Sequence, residues 1–161
     1  MKYGEKVPGK ECGECSACCT VMGVEFPKSY KDPGVLCKHT DGQGGCSIYA
    51  KRPVGCQNFL CAWLTIAALP DFTRPDRLGV HLHYDMDGET WNPFTKACVI
   101  ASPVADVKAM HSGEAKRCYK MFWDVGTPVC FNLPNRTRFF VNEDGIEIPT
   151  NQLLDYHARI R

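Results

Sequence analysis

The first four cysteines of the chain form a compact motif, Cys12-x2-Cys15-x2-Cys18-Cys19. A two-residue gap lets two thiolates turn around one metal, which is why zinc and iron–sulfur sites use this spacing. Adjacent side chains such as Cys18 and Cys19 diverge in a regular backbone. Both can ligate only if the site is a cluster of several metal atoms or if two sites exist; otherwise one of them has another role. The motif therefore predicts at least one site made of thiolates.

Four more cysteines follow at irregular gaps and complete a set of eight within 50 residues. These gaps do not match the paired knuckles of a zinc ribbon, nor the Cys-x3-Cys-x2-Cys motif of radical-SAM enzymes. We expect all eight to bind metal. Iron–sulfur is the preferred cofactor, because a vicinal pair fits a lone tetrahedral zinc poorly, and zinc is the alternative. The predicted ligands are Cys12, Cys15, Cys18, Cys19, Cys37, Cys46, Cys56 and Cys61.

The total of eleven cysteines is odd, so a complete set of intramolecular disulfides is excluded. The N-terminus lacks the apolar stretch of a secretory signal, and no apolar run reaches the length of a membrane span. We therefore expect a cytoplasmic protein with reduced thiols and no membrane partner. Because 19 Lys and Arg residues balance 18 Asp and Glu residues, no nucleic-acid partner is expected either.

The chain after the cysteine-rich stretch has ordinary periodic patterning. The patterns predict a helix over 54–68, a strand hairpin over 78–83 and 98–101, an amphipathic helix over 106–124, strands over 127–133 and 137–141, and a helix over 151–160. We expect an α+β fold in which a Cys-rich, metal-organised N-terminal lobe packs on a small antiparallel sheet with two or three helices. The chain 1–161 is expected to be a single domain, with the lobe over 12–63 and the supporting α+β part over 65–161.

Three cysteines and two histidines outside the lobe are further candidate ligands, but we prefer other interpretations for them. Cys98, Cys118 and Cys130 fall in strand and helix patterns, which predicts core thiols. His81 and His83 share one face of a strand, where a pair of imidazoles can bind metal or transfer protons. A solvated polar face is the interpretation that we prefer for this pair.

Arg52 and Tyr49 lie between predicted ligands in the sequence. We expect both to surround the metal centre, where an arginine offsets the charge of about −2 on a four-thiolate zinc or iron–sulfur site. Lys10, Lys38 and Lys51 are further sources of positive potential near the lobe.

The residue string across the lobe resembles a known family. Cys12-Gly-Glu-Cys15-Ser-Ala-Cys18-Cys19, then Cys37, then Cys46-Ser-Ile-Tyr49-Ala-Lys-Arg52-Pro53-Val-Gly-Cys56-Gln-Asn-Phe59-Leu-Cys61 looks like the motif of the bacterial CxxCxxCC cysteine-cluster family, over residues 12–63. That family is described as a zinc- or iron-chelating domain and is often called Fe–S oxidoreductases. The resemblance implies a bound metal centre without a settled reaction. Gln57 stands where the family usually has an arginine.

These observations lead to three alternative functions. The preferred one is an iron–sulfur protein that acts in electron transfer or redox sensing with a redox partner protein, and an oxidoreductase activity is left open. The alternatives are a structural zinc module for protein interaction and a metal-handling protein that chelates iron or zinc. The sequence identifies no catalytic residues.

Overall fold

The computed structural model describes residues 4–40, 44–85, 97–135, 137–149 and 152. The described helices are α1 (Ala17–Val21), α2 (Val54–Asn58), α3 (Ala62–Thr65), α4 (Pro75–Leu78) and α5 (Gly113–Asp124). The described strands are β1 (Val24–Phe26), β2 (Ser29–Lys31), β3 (Val80–Asp85), β4 (Cys98–Pro103), β5 (Val129–Asn132) and β6 (Arg138–Val141). No helix of this part of the chain is long and apolar enough to span a membrane.

The predicted α+β class is confirmed, with one correction to the sheet. Strands β3 to β6 form a four-stranded sheet in that order, and β1 and β2 form a separate antiparallel hairpin. Pairs β3–β4 and β5–β6 are antiparallel, but β4 and β5 are parallel, so the sheet is mixed rather than antiparallel. The reason is the long connection between β4 and β5, which contains α5. It is long enough to bring the chain back to the end of the sheet at which β4 begins, so that β5 runs in the same direction.

Helix α5 packs on the apolar face of this sheet. Its Tyr119 ring meets Phe131 of β5 with centroids 5.2 Å apart. The helix begins later than the predicted 106–124, because the Ser112 side chain accepts a hydrogen bond from the Ala115 N–H and caps the helix there. Residues Val107–His111 form a separate 3₁₀ turn before it.

The predicted helix over 54–68 is interrupted, which is a second correction. Phe59 and Cys61 have extended backbones, so the segment divides into α2 and α3. The interruption places the Phe59 ring on His81 and His83 of β3, at centroid distances of 5.5 and 5.6 Å. Trp63 of α3 then enters the core.

The bounds of the other predicted strands agree with the described structure to within a few residues. Strand β3 begins at Val80 rather than residue 78, because Leu78 ends α4 and Gly79 adopts a φ of +71° after it. The sequence Glu143-Asp144-Gly145 predicts a turn after β6, and Gly145 adopts a φ of +73° there. The Asp-Gly sequence also predicts a turn over 85–89, and both this turn and the helix over 151–160 fall almost wholly outside the described residues.

The described part of the lobe before Phe59 contributes little to the hydrophobic core. The buried core cluster begins at Cys61 and extends to Ile148. Before Cys61 the buried apolar residues are Ala17 and Val21, four residues apart on α1, which packs against β3. Polar contacts therefore contribute more to the organisation of this segment than apolar packing does.

Candidate metal centre

All eleven cysteines are free thiols, and the eight of the lobe differ in exposure. Cys12 is exposed, Cys61 is buried and the other six are half-buried. Most of the lobe cysteines are therefore partly accessible to solvent.

Four lobe thiols, on the N-terminal loop, on α1 and at the start of α3, are linked by electrostatic interactions. The Cys15 N–H donates to the Cys12 carbonyl over 2.9 Å and closes a turn. The thiol of Cys61 interacts electrostatically with Cys12 and Cys15, and so does the thiol of Cys18. We call Cys12, Cys15, Cys18 and Cys61 the first thiol group.

Two backbone contacts and one lysine hold the N-terminal loop against the segment that contains Cys61. The Val7 N–H donates to the Leu64 carbonyl over 2.8 Å. The Lys10 ammonium donates to the carbonyls of Ile66 and Leu69, each over 2.7 Å, and lies 5.4 Å from the centroid of the Trp63 ring. Lys10 thus fixes the geometry of the loop as well as adding positive charge near Cys61.

Backbone N–H groups point at two sulfurs of the first thiol group. Burial raises the pKa of Cys15, and hydrogen bonds from the backbone N–H groups of Ala17 and Asp76 oppose that rise. Burial raises the pKa of Cys61 to about 11, and the Leu64 N–H opposes it. Hydrogen bonds to sulfur favour the thiolate, which is the form that binds metal.

Four further thiols are linked by electrostatic interactions that all involve Cys56 of α2. The thiol of Cys56 interacts electrostatically with Cys19, Cys37 and Cys46. The backbone joins two of these partners directly, because the Cys37 N–H donates to the Cys19 carbonyl over 3.0 Å. Burial raises the pKa of Cys56. We call Cys19, Cys37, Cys46 and Cys56 the second thiol group.

A close backbone approach brings the segment of Cys46 onto the N-terminal loop. Gly44 adopts a φ of +102°, and a Cβ at this position would lie 2.5 Å from the Cα of Glu14. Only glycine fits such a contact. This packing holds the Cys46 segment against the loop between Cys12 and Cys15.

Lys31 is a functional candidate that the sequence analysis missed. Its side chain is 8% exposed, and its ammonium donates to the carbonyls of Thr20, Asp32 and Val35 at 3.2, 3.0 and 2.6 Å. Burial lowers the pKa of Lys31, and the neighbouring cysteines, Cys37 above all, oppose that change. Lys31 therefore supplies a fixed positive charge to the second thiol group. In the sequence its only signal is its place between the first motif and Cys37.

The vicinal pair contributes one cysteine to each thiol group. Cys18 and Cys19 lie on α1, where consecutive side chains are turned by about 100° from each other. The Cys18 thiol donates a hydrogen bond to the Cys19 sulfur, which raises the pKa of Cys18 and lowers that of Cys19 to about 7. Cys18 also interacts with Cys12 and Cys15, whereas Cys19 interacts with the cations Lys31 and Arg52.

Arg52 lies near the second thiol group and is steadied by Tyr49. The guanidinium carbon is 3.7 Å from the centroid of the Tyr49 ring, and the Arg52 Nε donates to the Tyr49 carbonyl over 3.0 Å. Its positive charge favours the thiolates of Cys19 and Cys56. Tyr49 itself is 65% exposed, so its contact with the site passes through Arg52.

The other three cysteines are in the core, as predicted. Cys98, Cys118 and Cys130 are fully buried. Burial raises the pKa of each to about 12, so these thiols are unreactive at neutral pH.

The expectation of a solvated face at His81 and His83 is wrong. His81 is 1% exposed, because Phe59 and the lobe cover this face of β3. Neither ring nitrogen of His81 has a hydrogen-bond partner among the described residues, and the same holds for Nδ1 of His83. Burial lowers the pKa of both imidazoles, that of His81 to about 3.

The donor chemistry of both groups fits a thiolate-binding metal. Each group offers four sulfurs, which is the number that a tetrahedral zinc ion or an iron–sulfur cluster takes from protein. Among the described residues, no three His, Cys, Asp or Glu side chains already stand in a metal-ligating arrangement. The thiols of either group would therefore have to move closer together and lose their protons before they could ligate one metal.

Comparisons of the chain with protein-family models, with curated proteins and with solved structures found no match.

Proposed function

We propose that the chain is a metal–thiolate protein whose lobe binds iron–sulfur centres and that it acts in electron transfer or redox sensing. The observation that carries this proposal is the placement of eight cysteines within one 50-residue segment, most of which lies outside the hydrophobic core. The three other cysteines lie in the core instead. A chain that used cysteine only as a small apolar residue would bury it, yet seven of the eight lobe thiols are exposed or half-buried.

Several groups near the thiols would stabilise thiolates, although burial on balance raises the pKa of Cys15, Cys56 and Cys61. Backbone N–H groups donate to Cys15 and Cys61, and the charges of Lys31 and Arg52 face the second thiol group. Such hydrogen bonds and charges offset the negative charge of a thiolate-ligated centre and adjust its reduction potential. When bound, an iron–sulfur centre supplies one-electron chemistry.

The position of the thiols suits exchange of electrons with a partner protein. Cys12 is exposed and lies in a loop at the molecular surface. A centre held by the first thiol group would therefore lie close to the surface, where a redox partner could approach it. The mixed sheet and α5 would serve as the rigid support.

A structural zinc module for protein interaction is the second candidate. The observation that favours it is the interaction of Cys56 with three other thiols, which makes four, the number that one tetrahedral zinc ion takes. Two groups of four thiols suit two single tetrahedral ions as well as two clusters.

Anaerobic purification, followed by an absorption spectrum and assays of iron, acid-labile sulfide and zinc, separates these functions. We expect a brown protein with stoichiometric iron and sulfide and a reversible redox signal. Metal should be lost in Cys15→Ser and retained in Cys118→Ala, which changes a buried core thiol and serves as the matched control.

Other results would select an alternative or reject the proposal. A colourless protein with stoichiometric zinc, which loses secondary structure on chelation, would indicate the structural module. Labile metal that exchanges while the fold persists would indicate metal handling. A folded wild-type chain that takes up neither iron nor zinc would refute metal binding altogether.

A further inference from the structure

We propose that a cavity between the lobe and the four-stranded sheet binds a small organic carboxylate. The cavity has a volume of about 320 Å³, which is within the range of small-molecule sites. Among the residues that the structure describes, no cysteine lines it. The site is therefore separate from the lobe thiols, and its ligand does not depend on the function proposed above.

Two parts of the molecule form the walls of this cavity, which we call the lobe–sheet cavity. Val21 of α1 and Tyr30 of β2 line it from the lobe. Ser102, Asn132 and Arg138 line it from β4, β5 and β6 of the sheet. Because β4 and β5 are parallel, both end at the same edge of the sheet, and the cavity lies at that edge.

A row of polar side chains crosses the sheet beside the cavity. His81 of β3 is paired with Ser102 of β4, and Asn132 of β5 is paired with Arg138 of β6. Paired residues of antiparallel strands share one face of a sheet, and here Phe59 stacks on that face at His81. Burying polar side chains costs free energy unless they are hydrogen-bonded, so a covered sheet face is usually apolar. The row therefore indicates a role other than packing.

Hydrogen bonds fix the orientation of three members of the row. The Arg138 Nε donates to the Asn132 Oδ1 over 3.1 Å, and the Asn132 Nδ2 donates to the Ser102 Oγ over 3.1 Å. Ser102 is 2% exposed, and its own hydroxyl proton is donated to no acceptor among the described residues. The row thus supplies the cavity with an oriented guanidinium and a hydroxyl that can donate to a ligand.

The charge of the cavity wall favours an anion. Among the described residues that line the cavity, Arg138 is the one charged side chain, and no Asp or Glu lies beside it there. A planar guanidinium matches the two oxygens of a carboxylate. The contact with Asn132 already holds the plane of this guanidinium, so less conformational freedom is lost when a ligand binds.

The rest of the wall favours a ligand with a short apolar body. Val21, Pro103 and Leu133 line the cavity with apolar surface. Tyr30 lies close against the backbone at Gly23, where a Cβ would collide with the tyrosine hydroxyl. An inorganic anion would leave this apolar surface uncovered. One cation and several apolar walls together indicate an organic carboxylate rather than phosphate.

Titration of the full chain, as purified, with benzoate tests the proposal by nuclear magnetic resonance. At constant ionic strength, benzoate should shift the side-chain amide signal of Asn132 and the backbone amide signals of Gly34 and Leu133 until they saturate. A ligand of this size should have a Kd in the millimolar range. Benzamide, which lacks the charge, and inorganic phosphate, which lacks the apolar body, should each bind at least about tenfold more weakly.

A matched pair of arginine variants locates the binding. Arg138→Gln removes the charge from an exposed side chain and should weaken benzoate binding by about tenfold or more. Arg117→Gln changes an exposed arginine of α5, which packs on the other face of the sheet, and should bind benzoate as the wild type does. The comparison of benzoate with benzamide on the wild type needs no variant and covers a failure of Arg138→Gln to fold.

Four results would overturn the proposal. The first is a wild-type chain without saturable shifts, and the second is benzamide binding as tight as that of benzoate. The third is phosphate binding as tight as that of benzoate, because the ligand would then not be an organic carboxylate. The fourth is equal benzoate affinity in Arg138→Gln and the wild type. None of these results depends on the metal content of the chain, so they leave the proposed function to its own experiment.

Discussion

Acid should destabilise this fold through His81, a residue of β3 that does not belong to either thiol group. Its side chain is 1% exposed, and neither ring nitrogen has a hydrogen-bond partner among the described residues. Burial first, and then the neighbouring His83, lowers the pKa of His81 to about 3 from the ordinary value of 6.5. The folded chain therefore keeps this imidazole neutral at pH values where the unfolded chain protonates it.

The size of the effect follows from the two pKa values. Since the pKa of the folded state is the lower one, the contribution of neutral His81 is fully present above pH 6.5 and is lost as the pH falls towards 3. Each pH unit in this interval costs about 1.4 kcal/mol of unfolding free energy. At about pH 5, roughly 1.5 units below 6.5, the loss from His81 alone is about 2 kcal/mol.

Urea unfolding of the metal-loaded chain at about pH 7.5 and about pH 5 measures this loss. The variant His81→Leu removes the titrating group, and His111→Gln changes an exposed histidine as the control. Acid also weakens metal–thiolate bonds, but it does so equally in the wild type and His81→Leu, because both chains keep the same cysteines. The difference in unfolding free energy between these two chains therefore reports the titration of His81. His81→Leu should lose about 2 kcal/mol less than the wild type over this interval. An equal loss in the wild type and His81→Leu would refute the reasoning.

Three further substitutions test other contacts. Tyr119→Phe removes the buried hydroxyl that donates to the Met110 carbonyl over 2.9 Å, so the unfolding free energy should fall by about 1–2 kcal/mol in thermal or urea unfolding. Lys31→Met removes a buried cation that faces the second thiol group, so competition with a chelator should show about tenfold weaker metal binding there. Gly44→Ala places a Cβ 2.5 Å from the Cα of Glu14 in a strained backbone, so the metal content of the lobe should fall.

Matched controls define the contradicting outcomes. Lys28→Met changes an exposed lysine of the same hairpin, and equal metal affinity in both lysine variants would reject the role of Lys31. Gly45→Ala has a similar positive φ but no atom within 4 Å of the added Cβ, and equal metal loss in both glycine variants would reject the steric argument. A Tyr119→Phe chain as stable as the wild type would show that this hydrogen bond contributes nothing.

Periodicity and spacing predicted much of the fold. The alternation of apolar residues over 78–83 predicted β3, and the apolar spacing over 106–124 predicted α5. Both patterns arise because each element buries one face against the same core. The parallel pairing of β4 with β5 could not be read from the pattern, since a strand has the same alternation in either direction. The interruption at Phe59 also depends on a distant contact, the stacking of its ring on His81.

The candidate site was predictable in composition but not in arrangement. The spacing of the cysteines singled out the eight lobe thiols. The place of Arg52 between them in the sequence predicted a nearby cation, and Arg52 does lie near the second thiol group. The burial of Lys31 and its contacts with the loop before Cys37 depend on the orientation of α1 and on the closure of that loop. These are tertiary contacts without a local sequence signal.

The central claim is that the lobe thiols bind metal, and the metal's own ligand shell tests it most directly. X-ray absorption at the iron and zinc edges, on chain purified anaerobically in thiol-free buffer, reports which atoms surround each metal. A shell made only of sulfur, at about 2.3 Å for zinc, is the predicted result. A shell dominated by nitrogen or oxygen would contradict ligation by the eight cysteines.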